Sequence, residues 1–280
     1  VISSSPTPAK NLSKQLKKNC DYILNDFWSY EALKKLFKKK KIYKKPKLIT
    51  AIGMFYDLEN PGKFISDAAK CLDDNGIFIA QLMCLNSMIE KNDLGNICHE
   101  HLEFYSYKSL KYLFENNGFK IFKIEENNIN GGSYRIFCKK NINKSINYKE
   151  KTTLSQINKF FLRVEKNKVK TVNFIKKEVK KGKKIFLYGA STKGNTLLQY
   201  YKLNRKLIPF AVERSPEKWG KYTIGTGIKI ISESDARKMN PDYLFVMPYA
   251  FISEFKKRES AWLKKGGKFI LPYPKFKIVK

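Results

Sequence analysis

The two histidines of the chain lie one residue apart, in the segment Cys-His99-Glu100-His101 that begins at position 98. In extended backbone, alternate side chains point the same way, so the two imidazoles would share one side and Glu100 would lie on the other. Histidine is the side chain whose ordinary pKa lies nearest neutral pH. A pair of histidines around a carboxylate therefore predicts a general-base site, with these three residues as the catalytic candidates.

Two other interpretations of this segment stay open. The histidines, with Glu103, carry the donor atoms of a zinc site. Their spacing differs from the His-Glu-x-x-His pattern, however, and the sequence contains no convincing further pair of ligands, so we expect no metal. The segment is equally compatible with a surface loop whose histidines cap a helix that begins near Ser106.

Acidic and aromatic residues follow two short apolar runs of the first half. Asp26 and Phe27 follow the first run, and Gly53 and Asp57 follow the second. Ligands of open α/β sheets bind outside the carboxyl ends of the strands. Such residues suit an adenine, because a carboxylate can accept a hydrogen bond from its exocyclic amine while an aromatic side chain stacks on its ring. These four residues are candidates for cofactor binding; alternatively, each aspartate caps the helix that follows it.

A pair of glycines lies in Asn130-Gly131-Gly132-Ser133, at the start of the last strand of a predicted hairpin. Paired glycines allow the backbone to approach a ligand closely, which makes these four residues candidates for substrate binding. Glycines at a hairpin tip also occur for conformational reasons alone.

A second candidate for substrate contact is the segment 188–196, which joins a predicted strand to a predicted helix. It includes Ser191, Lys193 and Asn195. Free amides at a helix start, with hydroxyls and a lysine, form a cradle for an anion. The glycines fit neither Gly-x-Gly-x-x-Gly nor a Walker loop. We favour a phosphate or nucleotide contact over a plain turn.

The elements that position these segments alternate along the first half of the chain. Apolar runs that read as buried strands alternate with stretches of helical spacing, and the half closes with two strands around an Asn- and Gly-rich turn. This order predicts a parallel sheet with crossover helices and a terminal antiparallel hairpin. The predicted strands lie at 22–24, 48–52, 77–80, 119–124 and 133–137, and the predicted helices at 30–40 and 64–72.

The second half predicts a helical linker and a further α/β domain. The linker, at 141–182, is rich in Lys and Asn and carries an apolar stripe at helical spacing, so we expect it to pack against protein. From 183 the alternation resumes and predicts a smaller, doubly wound domain that extends to 280. Its predicted strands lie at 185–188, 207–212, 243–246 and 268–271, and its helices at 193–201 and 253–263.

The net charge of +31 invites comparison with nucleic-acid-binding proteins. Only six of the 56 basic residues are arginine, and the lysines are spread along the whole chain. Arginine is the usual reader of phosphates and guanine edges. We therefore expect a solvated basic surface that favours anions such as nucleotide diphosphates, with no nucleic-acid partner.

The remaining composition predicts a cytoplasmic protein. Five widely spaced cysteines without a Cys-x-x-Cys pair suit a reducing compartment. No apolar run of about eighteen residues occurs, so no membrane partner is expected. The first residues lack the basic and apolar stretches of a signal peptide.

Taken together, these segments resemble methyltransferases that add a carbon-bound methyl group to nucleotide-activated 4-keto-6-deoxy sugars. The matching text runs over nearly the whole chain in order: LITAIGMFYDLENP (48–61), NICHEHLEFYS (96–106), NNINGGSYRIF (127–137), GASTKGNTLL (189–198) and LPYPKFK (271–277).

The resemblance implies a fold, a cofactor and a partner. It implies a Rossmann-like, seven-stranded methyltransferase domain at 1–140 and a Rossmann-like C-terminal domain at 183–280. It implies S-adenosylmethionine as cofactor, held by Asp26 and Phe27, and a sugar nucleotide, with dTDP as the expected nucleotide, held in part by the GASTKGNT segment. It further implies that His101 is the base and that Glu100 supports it.

The chain departs from the family pattern at its start. Members begin with a cysteine-rich zinc-binding domain, so zinc is expected only there, and nothing in this chain matches it. A strand and glycine-rich loop that wrap the cofactor then follow, whereas this chain starts where the second strand is expected, and Ser3 or Ser4 stands near the place of an acidic ribose ligand. Loss of the first, central strand would leave neighbouring backbone groups unpaired, so we expect an incomplete methyltransferase domain and poor cofactor binding.

A different class of function remains as the alternative. A basic α/β protein that holds nucleotides or nucleic acid without catalysis would have the same composition. Such a protein has no need of the His99-Glu100-His101 group, which therefore separates the two classes.

Overall fold

The computed structural model describes residues 2–4, 18–150 and 152–280. It contains two compact units, each made of several chain segments. The first unit consists of Val1–Met83, Leu102–Asn127 and Ser133–Glu150, and the second of Cys84–His101, Asn128–Gly132 and Lys151–Lys280. The boundaries predicted at 140 and 182 stay a prediction.

Helices and strands alternate through most of the described chain. The strands are β1 (Ile2–Ser4), β2 (Tyr22–Leu24), β3 (Leu48–Ile52), β4 (Ile77–Met83), β5 (Lys120–Asn127), β6 (Ser133–Lys139), β7 (Ile185–Tyr188), β8 (Phe210–Glu213), β9 (Lys229–Ser232), β10 (Tyr243–Val246), β11 (Lys268–Leu271) and β12 (Lys277–Val279). The helices are α1 (Tyr30–Lys40), α2 (Pro61–Cys71), α3 (Leu85–Lys91), α4 (Tyr107–Glu115), α5 (Leu154–Lys180), α6 (Thr192–Tyr200), α7 (Glu233–Lys238), α8 (Ile252–Arg258) and α9 (Ser260–Lys264).

The first unit contains a four-stranded sheet and a separate strand pair. The sheet order is β3-β4-β6-β5, with β3 and β4 parallel and with β6 antiparallel to both of its neighbours. The predicted terminal hairpin is therefore confirmed. Strands β1 and β2 pair in parallel and form a sheet of their own. Among the described residues, no strand joins β1 to β3, so the seven-stranded sheet implied by the resemblance is divided at this place.

Aromatic residues fill the core of the first unit. Phe55, Phe78 and Phe114 are fully buried, and Phe114 stacks on Phe55 at a centroid distance of 5.6 Å. Phe78 also lies 5.4 Å from the ring of Phe119. These side chains come from the turn after β3, from β4 and from the region of α4, so their contact fixes the loops at the ends of the strands.

The second unit contains a six-stranded sheet in the order β12-β11-β10-β7-β8-β9. All pairs are parallel except β11 with β12. The chain runs from β7 to one side through β8 and β9, and then to the other side through β10 and β11. The order therefore reverses between β7 and β10, where sheets of this kind bind ligands. The long helix α5 begins at a capping box formed by Thr153 and Gln156, which confirms the predicted helical character of the linker.

Several elements differ from the sequence prediction. Strand β8 begins at Phe210 instead of 207, and the short elements α3, β9, α7 and β12 were not predicted. The helix predicted at 253–263 is two helices, α8 and α9, with a break at Glu259. The break coincides with a buried carboxylate whose hydrogen bonds fix that residue, a tertiary contact that helical spacing does not reveal.

None of the described helices combines the length and the apolar character that a membrane span requires.

Candidate active site

The histidine segment lies at the end of a short helix and turn in the second unit. Helix α3 ends at Asn92, which adopts a left-handed conformation with φ of 54°. A single 3-10 turn, Leu94–Asn96, follows at once and is buried. Residues 97–101 follow and form a loop, the base loop. Its last residue donates its backbone N–H to the carbonyl of Cys98 at 3.1 Å, which closes the loop on itself.

His101 is the partly buried histidine, and one of its ring nitrogens has a backbone partner. Its Nδ1 lies 2.9 Å from the carbonyl oxygen of Asn96. A carbonyl only accepts, so Nδ1 carries the proton and donates it. In the neutral ring Nε2 then carries the basic lone pair. His99, by contrast, exposes 83% of its side chain and faces Glu100, with Nδ1 3.5 Å from Oε2.

Glu100 connects the base loop to the start of helix α6. Burial acts to raise the pKa of Glu100, but contacts with Cys98, His99 and the hydroxyl of Thr192 together outweigh it and hold that pKa below its ordinary value. Glu100 is therefore an ionised acceptor near neutral pH. Burial also raises the pKa of the Cys98 thiol, so this cysteine is a donor to Glu100 and not a thiolate.

The paired-glycine segment is held by a lysine of helix α3. The Nζ of Lys91 donates to the Gly131 carbonyl at 2.6 Å and to the Asn128 side chain at 3.1 Å. Gly131 has φ of +94°, and a Cβ at that position would lie 3.2 Å from Oδ2 of Asp93. Glycine is therefore favoured here by its positive φ and by the close approach of the Asp93 side chain. Asn130, also with positive φ, is exposed.

The segment after β7 uses part of its hydrogen-bonding capacity internally. Ser191 caps helix α6, with its Oγ accepting from Gly194 N at 3.2 Å. The Ala190 N–H donates to Oε2 of Glu213 at 3.0 Å, and Lys218 Nζ donates to the Ala190 carbonyl at 3.0 Å. A phosphate would therefore meet the amides at the start of α6 and the side chain of Lys193, beside a carboxylate already in place.

Helix α6 packs on the turn beneath the base loop. A Cβ at Gly95 would lie 2.9 Å from the carbonyl oxygen of Lys193, so only glycine allows this approach. On the other side of the switch point, the loop after β10 carries Tyr249. Its pKa is raised by burial and by the negative charge of Asp93, which shows that it faces the same turn.

The two units divide the predicted site residues between them. The second unit holds His99, Glu100, His101, Asn130, Gly131, Gly132, Ser191, Lys193 and Asn195. The first unit holds Asp26, Phe27, Gly53, Asp57 and Ser133. The acid–base candidates therefore lie in the same unit as almost all of the substrate candidates, and the cofactor candidates lie together in the other.

The cofactor candidates lie at strand ends and are open to solvent. Asp26 follows β2, and its Oδ1 accepts from Phe27 N at 2.8 Å. The Phe27 side chain is 74% exposed. Ser4, at the end of β1, donates its hydroxyl to the Asp26 carbonyl at 3.0 Å. Gly53 and Asp57 follow β3 and are also exposed.

The helix-capping alternatives for these residues are wrong. Helix α1 is capped by Ser29 and helix α2 by Asn60, so neither Asp26 nor Asp57 has that role. Helix α4 is capped by Ser106 with Ser109, so the histidines do not cap it. In each case the N-cap is a serine or asparagine that lies closer to the helix, because the side-chain oxygen of an N-cap must reach the backbone amide of the second or third helical residue.

Sequence reasoning missed the buried residues under the base loop. Asp93 and Asn96 are 4% and 3% exposed. They flank Leu-Gly in a stretch that reads as an ordinary polar turn, and nothing in the sequence marks it as buried. No group of three or more His, Cys, Asp or Glu side chains in the described ranges is arranged to hold a metal ion.

The class of protein follows from the first unit and its sequence match. Residues 8–124 match a family model described as a methyltransferase domain. The α/β sheet with its terminal hairpin is thus a Rossmann-like methyltransferase fold. Residues 128–274, more than half of the chain, match the model of the C-methyltransferase C-terminal domain. The chain belongs to the C-methyltransferase family.

Individual relatives are distant. The chain is 24% identical over 248 residues to the C-methyltransferase NovU of Streptomyces niveus, a match that covers 83% of this chain and 58% of NovU. The PH0226 protein of Pyrococcus horikoshii OT3 is 12% identical, covering 50% of this chain and 71% of that one, with a TM-score of 0.34. An S-adenosylmethionine-dependent methyltransferase of Clostridium acetobutylicum ATCC 824 is 12% identical, and the match covers 49% of this chain and 82% of that one, with a TM-score of 0.33. Structural similarity of this degree supports no conclusion about the site.

Proposed function

We propose that this protein transfers a methyl group from S-adenosyl-L-methionine to a ring carbon, C3 or C5, of a nucleotide-activated 4-keto-6-deoxy sugar. A dTDP-linked sugar is the expected substrate, and the five free cysteines fit a cytoplasmic enzyme. Membership in the C-methyltransferase family supports transfer to carbon, and the resemblance in the five motif segments supports the sugar nucleotide.

The observation that carries the proposal is the hydrogen bond from His101 Nδ1 to the Asn96 carbonyl, at 2.9 Å. It leaves the basic lone pair on Nε2, the state that a general base requires. A ketone at C4 acidifies the neighbouring C–H, because the carbanion spreads its charge onto oxygen as an enolate. His101 would remove that proton and become an imidazolium. The enolate carbon would then bond to the methyl carbon of S-adenosyl-L-methionine while the S–CH3 bond breaks, which releases S-adenosylhomocysteine.

Glu100 supports this step through its charge. Its carboxylate is ionised and belongs to the same loop as His101. A negative charge nearby stabilises the imidazolium that forms when His101 takes the proton. His99 is exposed and pairs only with Glu100, so we give it a lesser role in setting the charge of the loop.

The cofactor candidates fit an adenosine. S-adenosyl-L-methionine supplies an electrophilic methyl group on a sulfonium. At the end of a parallel strand, Asp26 offers an exposed carboxylate that can accept from an adenine amine or a ribose hydroxyl, and Phe27 offers an exposed ring on which an adenine can stack. Gly53 and Asp57, at the end of β3, complete the set of residues that would hold the cofactor.

The sugar nucleotide finds suitable partners in the unit that holds the base. In the paired-glycine segment Asn130 is exposed and can meet the sugar, whereas the backbone groups of Gly131 and Gly132 bond within the protein and Ser133 is buried, so these three residues would shape the site from behind. Ser191, Lys193 and Asn195 lie at the start of helix α6, near the reversal of strand order in that sheet. The helix dipole and the lysine both favour a diphosphate.

The test is methyl transfer with and without His101. Purified protein is incubated with S-adenosyl-L-methionine labelled in its methyl group and a dTDP-4-keto-6-deoxy sugar, and labelled sugar is measured. We expect H101Q to lower kcat by roughly 10²–10⁴-fold, because general-base catalysis contributes that much. H99Q is the matched comparison and should lose far less.

A second readout separates proton removal from methyl transfer. In D₂O without cofactor, the wild-type protein should exchange the proton beside the ketone for deuterium, and H101Q should not. Exchange that persists in folded H101Q would remove His101 from the role of base. Wild-type protein that bound the sugar nucleotide without exchange or transfer would instead support a non-catalytic binding protein.

A further inference from the structure

We infer that Asp93 is a positioning residue that holds His101 in its Nδ1-protonated form through Asn96. The inference rests on the proposed role of His101 as the base. It concerns three residues of the second unit that are joined by two consecutive hydrogen bonds, from His101 to Asn96 and from Asn96 to Asp93.

The first link is a backbone carbonyl, so its direction is set by the turn that contains it. The Asn96 carbonyl accepts from His101 Nδ1. Within the turn, Ile97 N donates to the Leu94 carbonyl at 2.9 Å, and Asn96 N donates to the Asp93 carbonyl at 3.3 Å. A rotation of the Asn96 peptide would turn the acceptor away from the imidazole and release the ring to its other tautomer.

The second link fixes that peptide from the side-chain end. Asn96 Nδ2 donates to Oδ2 of Asp93 at 3.0 Å, and both side chains are buried. Asp93 in turn is anchored to helix α3, because its N–H donates to the Met88 carbonyl at 3.0 Å. Asn96 is thus held at its backbone and at its side chain, and Asp93 is the residue that takes part in both contacts.

Neighbouring segments close around Asp93. Gly131 passes so near that a Cβ would lie 3.2 Å from Oδ2 of Asp93, and a Cβ at Gly95 would lie 2.9 Å from the Lys193 carbonyl. All three of the segments singled out in the second unit therefore meet at this turn. A displacement of Asp93 would therefore also move the base loop, the paired glycines and the start of helix α6.

Two acceptors of this pair are incompletely satisfied. Oδ1 of Asp93 and Oδ1 of Asn96 are buried without a well-directed hydrogen bond among the described residues, although the Gly95 N–H lies close enough to the Asp93 carboxyl to lower its pKa. Buried acceptors without partners destabilise a fold, so a turn that served only stability would be better built from apolar side chains. The retention of both polar side chains indicates that their mutual orientation has another use, which is the orientation of the base.

The direct test is the protonation state of the His101 ring, which requires no substrate. Protein labelled with ¹⁵N-histidine is studied by long-range ¹H–¹⁵N correlation at a pH where both rings are neutral. In the wild type, His101 should show Nδ1 protonated, and exposed His99 serves as the internal reference. In D93A and in N96A, we expect the His101 signals to move to a mixture of tautomers.

Kinetics then separate positioning from folding. D93A and N96A should lower kcat by about 10- to 100-fold, the effect of a small misplacement of a catalytic group, with the KM for S-adenosyl-L-methionine unchanged. D93N should restore both tautomer and kcat, because the amide oxygen still accepts from Asn96. The double variant should be no worse than either single one, since both break the same connection. D235A, a surface change in the same unit, is the matched control.

The outcomes separate this inference from the proposed function. Folded N96A or D93A with an unchanged His101 tautomer and normal kcat would overturn the positioning role while leaving His101 as the base. If D93A does not fold, N96A and D93N decide alone. Wild-type protein that binds the sugar nucleotide but catalyses neither deuterium exchange nor methyl transfer would refute the proposed function, whereas the tautomer measurement would still judge the link between Asp93 and His101.

Discussion

Two buried carboxylates of the second unit, Glu259 and Asp93, are each 4% exposed but differ in their partners. Glu259 Oε1 accepts from Tyr188 at 2.7 Å and from Arg237 at 2.6 Å, and its Oε2 accepts from Arg237 at 3.0 Å. Asp93 has one side-chain donor, Asn96, with the backbone N–H of Gly95 beside it, and no arginine or hydroxyl partner among the described residues.

Their ionisation differs accordingly. Burial acts to raise the pKa of Glu259, but Arg237 and Tyr188 outweigh it and hold that pKa below its ordinary value. For Asp93, burial prevails over the positive charge of Lys193, and the pKa is raised. A buried carboxylate with arginine and hydroxyl donors is thus held ionised, whereas one whose side-chain partner is a neutral amide is shifted towards its protonated form.

The largest expected effect is on stability, when Glu259 is replaced. E259A leaves the buried Tyr188 hydroxyl without its acceptor, while Arg237, whose side chain is 46% exposed, keeps Glu233 as a partner, so we expect the free energy of unfolding to fall by about 1–3 kcal/mol. Urea denaturation near neutral pH measures this. Because the folded-state pKa is lowered, the stabilisation exists above the unfolded pKa and is lost as pH falls through the folded one, so the deficit should shrink in acid. An equal deficit at all pH values would mean that the charge of Glu259 is irrelevant.

An intermediate effect is expected at the glycine that touches Asp93. G131A places a Cβ near the Asp93 carboxylate and forces alanine into left-handed backbone, which should cost roughly 1–2 kcal/mol for the backbone alone. The rate of methyl transfer should also fall, because the Leu94–Asn96 turn that precedes the base loop shifts. G182A has a similar positive φ in open space and measures the backbone cost without the contact. Equal losses in the two variants would show that closeness to Asp93 has no consequence.

The smallest effect has the opposite sign. A raised folded-state pKa means that the contribution of Asp93 to stability is full below the unfolded pKa and is lost as pH rises through the raised value. D93N removes this loss, because an amide does not ionise. The melting temperature of D93N should therefore be higher than that of the wild type at about pH 7.5, and the two should be equal at about pH 3.5. The gain should be roughly 2–4 °C for each kcal/mol of penalty removed. A D93N protein that melts below the wild type at about pH 7.5 would show that the carboxylate is well paired.

The sequence predicted elements better than contacts. Helix α1 and the strands β2, β3, β7, β10 and β11 lie where apolar periodicity placed them. Periodicity reports which face of an element is buried, so it finds strands bounded by polar turns. It does not find the break at Glu259 or the short strand β9, because both depend on partners far away in the sequence.

The same difference holds for the candidate site: residues with a distinctive type were predicted, and residues that matter through their contacts were not. His101 was visible because the chain has only two histidines, and Glu100 because it lies between them. Asp93 and Asn96 were not, since an Asp and an Asn beside a glycine are the usual composition of an exposed turn. Their burial results from helix α6 and the loop around Gly131, whose packing on the turn no local pattern encodes.

The residue before Asp93 has a consequence for the folding of the second unit. Asn92 donates to the carbonyl of Pro274, which lies 182 positions further along the chain. A contact between such distant segments forms slowly, because a long loop must close first. We therefore expect the turn that precedes the base loop to form late in folding, after the strand that leads to Pro274. Truncation before Pro274 should leave the other strands of the sheet largely formed, while the base loop, nearly two hundred residues earlier in the chain, loses this support.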